Sequence, residues 1–137
     1  MNIDSATQAS RLEQSYPALP DSIPAARAAI VGLAARAGAT DDQVNAVRLA
    51  ASEALTNAVL HAYDGAPGLV HVCVDADAES LALSVADDGA GIRPRIDGFG
   101  MGLGLALIAE STQELAILKR PGGGVELQMR FALSRRR

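Results

Sequence analysis

Glu53, Asn57 and His61 recur at four-residue intervals in an otherwise apolar stretch, ASEALTNAVLHAY, Ala51–Tyr63. On a helix each such step turns about 400°, so successive members lag by about 40° and the three form one slanting row. A carboxylate, a carboxamide and an imidazole in such a row can take up a proton, ligate a hard cation and exchange hydrogen bonds. Burying them against apolar neighbours without partners costs ~1–3 kcal/mol per group. The row therefore faces either water, as the polar side of an amphipathic helix does, or a polar ligand.

Two glycine-rich segments follow. VADDGAGI sets Asp87 at the end of the strand-like SLALSVA, with Gly89 and Gly91 just beyond it. Glycine admits positive φ and close approach of a ligand to the backbone, and a carboxylate at a strand end can accept from an exocyclic amine. A plain Asp-Gly turn is the alternative. GFGMGLGLALI places Gly98, Gly100, Gly102 and Gly104 before and inside the start of a helix. Glycine costs about 1 kcal/mol against alanine in a helix interior, so this alternation needs a reason. Bare N–H groups at a helix N-terminus seat phosphate well. No Gly-Lys-Ser/Thr follows, which excludes a P-loop, and the acidic residue of a dinucleotide fingerprint is missing. A glycine hinge without ligand stays open.

These segments need elements to position them. PAARAAIVGLAARA, Pro24–Ala37, predicts a helix with Ile30, Leu33, Ala34 and Ala37 inward, opened by a first-turn proline and stopped at Gly38. The next helix starts at Thr40, spaced from Gln43 as in a capping box, with Asp41 and Asp42 in its first turn, and runs through the polar row to Tyr63. After DGAPG the period changes to two. Val70, Val72 and Val74 share one strand face, and Leu81, Leu83 and Val85 share another, across a polar turn. GLGLALIAESTQEL restores helical character. LAILKR, the turn PGGG and VELQMRFAL read as a hairpin, with Val125, Leu127, Met129, Phe131 and Leu133 alternating. RLEQSY suggests a short edge strand. The fold class expected is α+β: a two-layer sandwich of one mixed, mainly antiparallel sheet with helices on one face.

Composition bounds the rest. The 137 residues suit one domain, expected over 11–134, with a disordered polar leader at 1–10 and a basic tail at 135–137. A net charge of −4 argues against direct nucleic-acid binding, which needs a basic face. The start MNIDSATQ lacks signal-peptide character and no apolar run approaches membrane-spanning length, so no membrane association and a cytoplasmic location are expected. Cys73 is the sole cysteine, which excludes an internal disulfide; within its apolar stretch it reads as a buried, inert thiol.

Taken in order and at these separations, Glu53-x-x-x-Asn57-x-x-x-His61, Asp87-x-Gly89-x-Gly91 and Gly100-x-Gly102-x-Gly104-Leu105 resemble the N, G1 and G2 boxes of the GHKL superfamily of gyrase, Hsp90, histidine-kinase and MutL ATPases, which share the Bergerat fold. Within it, SEALTNAVLHAY, the small size and GGGVELQMRF are most similar to the bacterial anti-sigma-factor serine kinases, from about Tyr16 to Leu133. The resemblance implies ATP and Mg²⁺ as ligands. Asp87 would accept from adenine N6, with Gly89, Gly91 and Ile92 beside base and ribose. Asn57 would ligate Mg²⁺, and Gly100, Met101, Gly102, Leu103 and Gly104 would form the lid base and helix start that hold the phosphates. Glu53 would be the general base, His61 would support the site from behind, and Arg93 and Arg95 would contact phosphates or remain solvated. The implied activity is protein serine kinase; the implied partners are a sigma factor, a STAS-type anti-anti-sigma protein and a second copy in a homodimer. A nucleotide-dependent binding module without phosphotransfer is the competing reading. The chain departs from the family in three places: only Ile92–Phe99 separates the glycine boxes, Met101 stands where many relatives carry a basic residue, and Gly122–Gly124 stand where a threonine is often found.

Overall fold

The computed structural model describes residues 10–89 and 101–133. The polar leader before Ser10, the basic tail, and the expected contributions of Gly91, Ile92, Arg93, Arg95 and Gly100 lie outside the described residues; of Met101, Gly102 and Leu103 the helical backbone is described. The elements run β1 (Arg11–Pro17), α1 (Ser22–Arg36), α2 (Asp41–His61), β2 (Leu69–Ala76), β3 (Ser80–Asp87), α3 (Met101–Ser111), β4 (Glu114–Lys119) and β5 (Val125–Ala132). Five strands form one sheet in the order β1-β2-β3-β5-β4. Every ladder is antiparallel, so the mixed sheet expected narrows to a purely antiparallel one.

The period-two pattern decides which sheet face meets the helices. Val70, Val72, Val74, Leu81, Leu83, Val85, Leu127, Met129 and Phe131 are all buried, and they join Ile30, Leu33, Val47, Leu55 and Ile108 of the helices in one core. Ala50, Ala51, Ala54 and Ala58 are buried on α2, where small side chains let the helix backbone lie close to its neighbours. The opposite sheet face is open and carries Glu13, Ser15, His71, Ser84 and Glu126. Cys73 belongs to that outer face: it is half-buried rather than part of the core, because a strand turns alternate side chains to opposite sides. Burial still pushes its thiol up from the ordinary value.

Local signals set the helix ends. Thr40 Oγ1 accepts from Gln43 N at 3.2 Å and Gln43 Oε1 accepts from Thr40 N at 2.9 Å, so the capping box forms and orients α2 from its first turn. Asp64 (φ 50°) and Gly65 (φ 88°) then reverse the chain after α2. The last helix is shorter than its sequence suggests, ending at Ser111 rather than running on to Leu115. Ser111 Oγ donates to Leu107 O and Thr112 Oγ1 to Ala109 O, competing for carbonyls at the helix end, while Gln113 N donates to Arg130 O and begins the β4–β5 pairing.

Candidate functional site

The α2 row is half-buried at Glu53 and Asn57 and reaches solvent at His61. No described residue hydrogen-bonds to the side chains of Glu53 or Asn57. Both are thus half-buried polar groups without a partner among the described residues, accessible to water or to a polar ligand.

At the end of β3, Asp87 is half-buried, and its Oδ1 accepts from Gly89 N at 3.0 Å and from Val125 N at 3.3 Å. Its Oδ2 has no donor among the described residues. Burial pushes the Asp87 carboxyl above its usual range, partly offset by the two backbone N–H groups. Asp87 shares a cleft with Asn57 and His61, between apolar walls supplied by Ala58, Val85, Leu105 and Leu127. The cleft therefore joins a carboxylate and a carboxamide to an apolar surface.

Two glycines explain how the segments come together. Gly89 is buried with its backbone against the carbonyl of Ala62 at the end of α2, where a Cβ would overlap that oxygen. Gly104 lies over the α2 row: a Cβ there would stand 2.9 Å from Glu53 Oε1 and 4.0 Å from Asn57 Oδ1. Asn57 consequently borders both the Asp87 cleft and the first turns of α3, while Glu53 sits at the α3 side. We expect Gly89→Ala to destabilise the fold by ~1–3 kcal/mol, since the obstructing atom is backbone and cannot rotate away, and to lower the melting temperature by several degrees in a thermal scan.

The donor set fits a nucleotide with a hard cation. Among the described residues no group of three His, Cys, Asp or Glu side chains could by itself hold a metal ion. A carboxamide oxygen beside the first turns of α3 would suit Mg²⁺, which takes few protein ligands and keeps waters or phosphate oxygens.

Sequence reasoning missed a second set of residues around Asp87. The PGGG turn packs on it: a Cβ on Gly124 (φ 102°) would overlap Asp87 O, and one on Gly123 would stand 3.1 Å from Gly89 O. Tyr63 Oη accepts from Asp88 N at 2.7 Å and donates to Leu69 O. On the outer face, Asp88 Oδ2 lies 2.6 Å from His71 Nε2, Asp88 Oδ1 lies 3.3 Å from Arg120 Nη2, and Ser15 Oγ lies 2.7 Å from His71 Nδ1. The hydrogen bond from His71 holds the Asp88 carboxyl below its usual range, with Arg120 adding to the effect. The signal available in the sequence was the glycine triplet, whose positive φ at Gly122, Gly123 and Gly124 marks a turn that L side chains rarely adopt, with Gly123 and Gly124 also crowded against the backbone of Gly89 and Asp87. None of the described helices is long and apolar enough to cross a membrane.

Comparison with known proteins agrees with this fold. The chain is 26% identical to the anti-sigma F factor of Clostridium acetobutylicum over 138 aligned positions, covering 90% of this chain and 95% of that protein. It is 28% identical to the serine-protein kinase RsbW of Staphylococcus aureus, covering 81% and 80% of the two chains. In fold it is similar to the crystal structure of the RsbU and RsbW domains of Rv1364c from Mycobacterium tuberculosis, with a TM-score of 0.68 at 23% identity, over 91% of this chain and 33% of that longer one. The model of the histidine kinase-like ATPase domain matches residues 16–131, which span the α2 row, Asp87 and the α3 glycines, and the chain accordingly belongs to the histidine kinase-like ATPase domain family.

Proposed function

We propose that this protein is an anti-sigma regulatory factor with serine kinase activity: it binds ATP with Mg²⁺, sequesters a sigma factor and phosphorylates a STAS-type anti-anti-sigma protein. The observation that carries the reading is the position of Asn57, which borders the Asp87 cleft on one side and, with Glu53, the Gly104 turn of α3 on the other. In this reading the adenine pocket, the cation ligand and the general base would follow the order of adenine, phosphates and the acceptor serine beyond the γ-phosphate. The names of the relatives, anti-sigma F factor and serine-protein kinase, support both halves of the proposal.

In this reading Asp87 Oδ2 accepts from the adenine amine while Oδ1 stays bound to Gly89 and Val125 N–H. Val85, Leu105 and Leu127 exclude water around the base, and His61 borders the cleft at its mouth. Asn57 offers its carboxamide oxygen to the cation, which when bound screens charge on the β- and γ-phosphates. The N–H groups of Met101, Gly102, Leu103 and Gly104 at the start of α3, with Gly100 before them, seat phosphate oxygens. The resemblance further assigns Gly91 and Ile92 to the nucleoside and Arg93 and Arg95 to the phosphates or to solvent; these four lie outside the described residues. Glu53 receives the proton of the acceptor serine hydroxyl as its oxygen bonds to the γ-phosphorus, and the β–γ bridging bond breaks to release ADP. Phosphoserine then carries roughly −2 charge, which a chain of net charge −4 repels, favouring release. A cytoplasmic location and a homodimer go with this assignment.

The test is incubation of the purified chain with γ-labelled ATP, Mg²⁺ and STAS proteins encoded in the same genome. Labelled phosphoserine is the expected product. ATP binding without transfer would reassign the chain as a nucleotide-dependent binding module, and absence of ATP binding would overturn both.

A further inference from the structure

Resting on the nucleotide reading above, we infer that Tyr63 is a positioning residue for adenine recognition: its hydroxyl fixes the peptide that joins Asp87 to Asp88 and so aims the Asp87 carboxylate into the cleft. The β2–β3 ladder ends at the pair Val70 and Asp87. Leu69 and Asp88 stand just beyond that last pair, and Tyr63 Oη spans the gap, accepting from Asp88 N at 2.7 Å and donating to Leu69 O. A side-chain hydroxyl thus takes the place of the next rung of the ladder. This lets β3 leave the sheet at Asp87 without stranding an N–H or a carbonyl, at a residue that borders the cleft and whose Oδ2 has no donor among the described residues.

The ring that carries the hydroxyl is itself held. Tyr63 follows closely on the end of α2, and a Cβ on Gly68 would overlap ring atoms Cδ1, Cε1 and Cζ, so the ring lies against bare backbone. From the outer face the Asp88 side chain is gripped by His71 and Arg120. Asp88 is therefore held through its main chain from the α2 side and through its carboxylate from the other, with Asp87 adjacent. Phenylalanine at 63 would fill the same space and leave Asp88 N–H and Leu69 C=O without their partner.

A base analogue isolates the contact in question. Purine riboside triphosphate lacks the adenine N6 amine and cannot donate to Asp87. The unaltered chain should bind ATP about 10-fold or more tightly than this analogue, the range expected of one hydrogen bond to a carboxylate. In Tyr63→Phe that ratio should fall toward 1, chiefly through weaker ATP binding, measured calorimetrically well below the melting temperature. Exchange of the Asp88 amide should accelerate at least about tenfold while that of Leu83, in mid-strand, stays unchanged. Gly68→Ala, which displaces the ring from the other side, should collapse the ratio likewise. A lower melting temperature with the ratio intact would leave Tyr63 a structural role only and overturn the inference. Failure of the unaltered chain to bind either triphosphate would instead overturn the nucleotide reading on which it rests.

Discussion

Asp87→Asn is expected to weaken ATP binding by about 100-fold or more while leaving the protein folded and no less stable at neutral pH. The reason lies in how the carboxylate divides its oxygens. Oδ1 accepts from Gly89 N and Val125 N, and an asparagine would keep its own oxygen there because both partners are fixed backbone donors. Its NH₂ group would then occupy the place of Oδ2 and face the adenine amine, donor against donor. Losing a hydrogen bond to a charged acceptor and leaving a polar group unpaired together amount to ~3 kcal/mol, about the factor of 100 stated.

Stability should move the other way. Burial raises the Asp87 carboxyl in the folded state, so ionisation there is unfavourable relative to the unfolded chain. This penalty is fully present above the raised folded value and vanishes below the unfolded carboxyl range near about 3.9. The stability of Asp87→Asn relative to the unaltered chain should therefore be greatest near neutral pH and shrink as pH falls through that window. Thermal melts of both proteins across that range, with calorimetric ATP titrations at pH 7, test the two statements separately. ATP affinity of the unaltered chain should itself fall on acidification as Asp87 takes up a proton. Normal affinity in Asp87→Asn would remove Asp87 from the pocket.

Glu53→Gln should divide the functions differently, cutting phosphotransfer by about 10²–10⁴-fold, the usual worth of a general base, while ATP affinity changes little. Glutamine keeps the size of the side chain and its contact with Gly104, and removes only the capacity to take a proton. Single-turnover transfer to a STAS substrate, set beside ATP titrations of the same sample, reads both quantities. An unchanged transfer rate would show that the serine proton leaves by another route. Equal losses of binding and transfer would make Glu53 part of the nucleotide grip.

Much of this protein was legible from residue order. The capping box at Thr40 and Gln43, the alternation in β2, β3 and β5, and the four-residue spacing of the α2 row all depend on interactions between near neighbours, whose geometry is fixed once helix or strand is chosen. The fold class followed from these patterns, and the three motifs marked candidate ligand-facing residues because buried polar groups and helical glycines are costly without a reason. The end of α3 was misplaced because GLGLALIAESTQEL satisfies a helical pattern locally; the pairing of Leu115 with Met129 and of Glu114 with Arg130, which claims its last residues, is made with a strand more than ten residues away. The same limit hid the inward and outward sense of Cys73, which depends on which strand face the helices cover.

What only the tertiary structure decided is how Asp87 is held. Spacing along the chain could mark an acid at a strand end. It could not reveal that Tyr63 closes the ladder beyond it, that Val125 N and the glycine hairpin press on it, or that His71 and Arg120 grip its neighbour from the far side of the sheet. Those partners are between 16 and 38 residues from Asp87, and nothing in local periodicity ties them together. Periodicity reports the face a residue shares with its own element. Only the packing of one element on another fixes which oxygen of a carboxylate is already engaged and which is left to meet a ligand.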